Sequence, residues 1–67
     1  MSDIHDQIQE AKRELKMRKN VYPCWVELGK LKPYIAQKRI ETMEAIIDTL
    51  EDYERRTRAV KQQSLFG

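Results

Sequence analysis

Few side chains in this sequence are equipped for chemistry. His5 is the only histidine and Cys24 the only cysteine. A metal centre needs several such ligands at close spacing, and neither residue has a second His or Cys near it. A solvated or capping role is therefore expected for His5, and no metal or cofactor. Cys24 stands between Pro23 and Trp25. A reactive thiol there is one reading, and a small buried packing residue is the expected one. Glu41, Glu44, Asp48, Glu51 and Asp52 form an acidic run that could pair carboxylates across a dimer. Charge runs at helical spacing are ordinarily solvent faces, and no glycine-rich loop or nucleophile elbow accompanies this one. The inventory argues against an enzyme.

The elements that must carry these residues are helical. A chain of 67 residues with two Gly, two Pro and 36% charged residues has room for one small domain. A domain of that size is marginal alone and needs a staple, a metal, a partner or idealised helix packing. A single cysteine excludes an intrachain disulfide and suits a reducing cytoplasm. No stretch approaches the length of apolar sequence that spans a bilayer, and the start, "MSDIHDQIQE", is acidic and polar. Neither a membrane span nor a signal peptide is expected, and the expected location is cytoplasmic.

Ser2 suits an N-cap, and Asp3 and Asp6 lie where a helix dipole favours negative charge. Ile4, Ile8, Ala11 and Leu15 then recur at helical spacing. Lys16, Arg18 and Lys19 suit the other end, Asn20 offers a left-handed cap, and Pro23 opposes continuation through Tyr22. The first helix is thus expected from residue 3 to about 19. In the elbow "VYPCWVELGKLKP", Pro23 can start a short turn and Gly29 can end it. Tyr22, Trp25, Val26, Leu28 and Leu31 are expected to plug the end of the helix pair.

Pro33 suits the first position of a second helix, which has no Gly or Pro as far as Gln62. Ala36, Ile40, Met43, Ile47 and Leu50 make one apolar stripe. Ile35, Ile46, Tyr53, Thr57 and Val60 make another beside it, for an apolar face of roughly 160°. That is too wide for one short partner helix, and the last third of the long helix should overhang the hairpin. The expected fold is all-α: a short helix, an elbow and a long helix over residues 1–61, forming a homodimer with the long helices antiparallel or crossed.

Charge is laid out in blocks. Residues 12–39 hold nine Lys or Arg against Glu14 and Glu27, whereas residues 41–54 hold six acids and no base. Arg55, Arg56, Arg58 and Lys61 follow. Such blocks suit helix faces that complement one another. Pairing at i,i+4, Glu51 with Arg55 and Glu54 with Arg58, would occupy part of the last cluster, leaving the rest for a partner's acidic surface. Reading the elbow as a helix-turn-helix would put Lys32, Lys38 and Arg39 on phosphates and Gln37 on a base edge. A third helix is lacking and the acidic block would repel the duplex, so direct nucleic-acid binding is not expected.

The last residues, 62–67, read as a flexible binding tail. Gln62-Gln63-Ser64-Leu65-Phe66 resembles the short motif, usually Gln-Leu-Ser/Asp-Leu-Phe, by which bacterial polymerases and repair proteins bind the DNA sliding clamp. Four of five positions agree, and Gln63 departs where leucine is common. The resemblance implies that Gln62 bonds the pocket rim while Leu65 and Phe66 enter adjoining apolar subsites. A second resemblance spans most of the chain. "RELKMRKNVYPCWVELGKL" and "RIETMEAIIDTL" look like a group of small phage early-region proteins, a broad type that includes dimeric helical inhibitors such as an anti-quorum-sensing protein binding a transcription activator and a pilus ATPase. Together these imply a phage adaptor that docks on the host clamp and recruits or diverts replication machinery. The alternative is a host-takeover inhibitor of a transcription regulator or motor ATPase, acting through Arg55, Arg56, Arg58 and Tyr53.

Overall fold

The computed structural model describes residues 3–66, with side-chain surroundings described for residues 3–58. Two helices, α1 (Ile4–Glu27) and α2 (Pro33–Phe66), make an antiparallel hairpin. Asp3 caps α1: its backbone is extended and its carboxylate accepts from the Asp6 amide at 2.8 Å. An aspartate satisfies an orphan amide as well as a serine does. The cap expected at Ser2 lies outside the described residues.

The first helix does not stop near residue 19. It continues through Asn20 and Pro23 to Glu27, and no described residue other than Gly29 has a positive φ. Pro23 has no amide for the Lys19 carbonyl, and proline inside a helix costs about 3 kcal/mol. The offset is visible one residue earlier. Tyr22 lies seven positions after Leu15, on the stripe facing α2, and is buried against the hairpin with its ring 5.6 Å from that of Trp25. Keeping the helix intact past Pro23 retains that burial, which at about 1.5–3 kcal/mol for a large apolar side chain is of the same order as the cost of the proline.

The helix ends instead at Leu28. The Lys30 amide donates to the Trp25 carbonyl at 2.9 Å and the Gly29 amide to that of Val26 at 3.1 Å. This is the bond pair of a Schellman motif, whose left-handed residue is Gly29 at φ 75°. Three residues later the Lys32 carbonyl accepts from Ile35 and Ala36, and Pro33 opens α2 as expected. Proline loses nothing there, because the first amides of a helix have no intrahelical partner.

Ala11, Met43 and Ile47 form the centre of the packing, flanked by Leu15 and Leu50. Ile8, Tyr22 and Ala36 are also buried, each on the predicted inward stripes or their extension. Charges on opposite helices follow the register: Lys12 Nζ lies 3.2 Å from Glu51 and Lys19 Nζ 3.6 Å from Glu44. Both contacts advance by seven residues, as an antiparallel pair requires. Ile4 and Gln7 lie beside Leu50, Tyr53 and Thr57, so α1 begins next to the part of α2 around Thr57. The overhang is therefore shorter than a third of α2, because α1 is longer than the elbow prolines implied. It still extends from about Thr57 to Phe66, ~13 Å at 1.5 Å per residue.

Candidate binding surfaces

The side chains with chemical potential are not gathered. His5 and Cys24 are both at the surface. The expectation of a buried Cys24 is overturned by the continuous helix: two residues from Tyr22, it points some 200° away, off the inward stripe. Among the described residues no three of His, Cys, Asp and Glu come together as a metal ion would require. The acidic run serves the hairpin. Glu51 and Glu44 reach Lys12 and Lys19 of α1, while the Gln37 amide donates to Glu41 at 3.0 Å.

The basic cluster is engaged by its own helix. Asp52 takes Arg56 at 2.6 Å and Arg55 at 3.5 Å, and Glu54 takes Arg58 at 3.7 Å. The last pair is as expected. Arg55 pairs one position along from Glu51, because α1 offers Glu51 a lysine. All three arginines remain largely in solvent, where such pairs contribute little.

Of the apolar residues assigned to core or dimer, Tyr22, Met43 and Ile47 are buried, and Ile35, Ile40 and Leu50 are half-buried. Ile46, Tyr53 and Trp25 remain 43%, 55% and 42% exposed. Leu28, expected to plug the hairpin end, is 62% exposed, because the Schellman turn carries it outward. Ile46 borders a shallow depression of about 250 Å³ with Thr42, Ala45, Thr49 and Leu50. The Thr49 hydroxyl donates to the Ala45 carbonyl at 3.0 Å, and Thr57 does likewise to Tyr53. With its hydroxyl satisfied on its own helix, a threonine behaves as a small apolar residue. This face of α2 is thus more apolar than its composition implies.

A second concavity was not anticipated from the sequence. Near the turn, Tyr22, Pro23 and Val26 of α1 face Pro33, Ala36 and Ile40 of α2 across a groove of about 630 Å³. Glu27, Glu41, Glu44 and Gln37 edge it. The available signal is a proline on each side of the turn: Pro23 reads as a break and Pro33 as a helix start, and both are walls of the groove.

The side chains of the motif residues Gln62, Ser64, Leu65 and Phe66 lie outside the described ones. The backbone of α2 is helical to Phe66, four residues past its expected end near Gln62. No described helix is long and apolar enough to cross a membrane. No protein-family model matches the chain, and neither a curated protein nor a solved structure is found to match it.

Proposed function

We propose that this chain is a non-enzymatic, phage-encoded adaptor that dimerises through α2 and docks on a bacterial DNA sliding clamp through Gln62 to Phe66. The observation that carries the reading is the motif and its place in the chain. Helix α2 runs on past the start of α1, so the motif's backbone stands clear of the paired part of the hairpin. Two large apolar anchors there can meet a foreign pocket without disturbing the packing, and such anchors supply most of the energy of small interfaces. Binding the clamp would recruit or divert replication machinery. The reading needs a bacterial cytoplasm as its setting.

Clamp capture tests it. The full chain should bind purified clamp, and a chain ending at Lys61 should lose at least tenfold in affinity. Equal weak binding by both would remove the proposal. The dimer is supported by the apolar side of α2 around Ile46, which α1 leaves open. Sedimentation should show a two-chain species that Ile46→Glu converts to one chain; a wild-type monomer at all concentrations would exclude it. A dimer suits the clamp, itself a two-fold ring with two pockets, if the paired tails span their separation.

A further inference from the structure

We propose that the groove beside the turn is a second docking site, for a basic amphipathic helix or peptide whose apolar side chain enters between the two helices while its lysines or arginines meet the acidic edge. The groove walls are apolar, from Pro23 and Val26 on one side to Ala36 and Ile40 on the other, and the volume suits one or two large side chains. Its charged lining is of one sign: Glu27, Glu41 and Glu44, with no cation among the lining residues.

Glu27 is the informative member. It occupies the last position of α1, whose final turn holds no basic residue. The carbonyl end of a helix favours cations, so a carboxylate placed there is locally unfavourable. Among the described residues it makes no ion pair or side-chain hydrogen bond that would offset this. Glu41 is held only by the neutral Gln37 amide. Glu44 is shared with Lys19, which lies on α1 at 3.6 Å. Lys30 and Lys32 of the connecting turn and Lys38 and Arg39 of α2 are the nearest other cations in sequence, and none of them lines the groove. The carbonyl end of α1 is offset by the amide end of α2, whose first turn also lines the groove, so the negative character comes from Glu27 and Glu41, neither of which has a cationic partner among the described residues. Exposed carboxylates left without a cation at the edge of an apolar floor suit a docking surface. The chemistry that complements it is a cation attached to an apolar anchor.

The groove and the Ile46 side lie on different faces of α2. Ile40 and Glu44 stand roughly 120–160° around the helix from Ile46, at 100° per residue. A hairpin paired through Ile46 keeps the groove open, so the two sites are compatible.

The probe is a short blocked helical peptide with a leucine and tryptophan stripe flanked by lysines, titrated into the full chain and followed by amide chemical shifts. Shifts should concentrate at Val26, Ala36 and Ile40. The double variant Glu27→Lys, Glu41→Lys alters two exposed side chains and should weaken binding about tenfold or more, as should the same peptide with glutamates for lysines. The variant's unaltered helical circular dichroism shows that the fold is intact. Three results would each overturn the proposal. They are an acidic peptide that binds as well as the basic one, shifts that centre on Ile46 and Tyr53, and groove shifts that arise from protein concentration alone, which would make a second copy of the chain the occupant.

Discussion

The two sides of α2 offer a controlled comparison. Ile46 and Ile47 are neighbours in one uninterrupted helix, with the same side chain and the same propensity, yet one is 43% exposed and the other 6%. Only the partner differs. One α-helix covers a stripe, and α1 meets the line through Ala36, Met43 and Ile47 while leaving the side of Thr42, Ile46 and Thr49 open. Apolar content alone does not decide burial in a hairpin; it decides how much surface remains after the first partner has been used.

The sharpest way to break that comparison is to truncate both isoleucines. Ile47→Ala deletes packing between Ala11, Met43 and Leu50 and should cost about 2–4 kcal/mol, enough to unfold much of a chain this small. Ile46→Ala should cost under about 0.5 kcal/mol within a single hairpin, the scale of ordinary surface substitutions. Urea unfolding at low protein concentration measures both. A comparable loss for Ile46→Ala under those conditions would mean that its side is already covered, by a second chain that persists on dilution.

This contrast also marks what could be read from the sequence. Both stripes of α2, its start at Pro33, the turn at Gly29 and the complementary charge blocks are periodic or local features, and periodic features survive folding. The end of α1 is not legible locally, because Pro23 and Asn20 carry strong local signals, whereas the deciding term, the burial of Tyr22 in the hairpin, is tertiary. Once α1 is extended, the exposure of Cys24 and Leu28, the groove walls and the shorter overhang all follow. The Arg55 pairing was missed for a related reason: Glu51 has a choice between its own helix and Lys12 of the other, and only the register settles it.

A smaller effect tests the turn that separates the two helices. Gly29→Ala should destabilise the hairpin by about 1 kcal/mol. An added Cβ would meet nothing within 4 Å, so the whole cost is that of holding a φ of 75° with a side chain present. Thermal unfolding should show a shift of several degrees with no change in helical content. A loss as large as that of Ile47→Ala would indicate that the turn organises the core and does more than connect it.

A comparably small effect concerns the charges that pair across the covered side. Lys12 and Glu51 are both substantially in solvent, so the pair should contribute only about 0.2–1 kcal/mol. Lys12→Met, Glu51→Gln and the double variant, compared as a cycle, isolate that coupling from the separate cost of each change. The coupling should shrink as salt is raised, because the Debye length falls from about 10 Å at 0.1 M to about 3 Å at 1 M. A coupling that salt leaves untouched would place the pair in a drier setting than the hairpin alone provides. That would again point to a second surface lying against the helices.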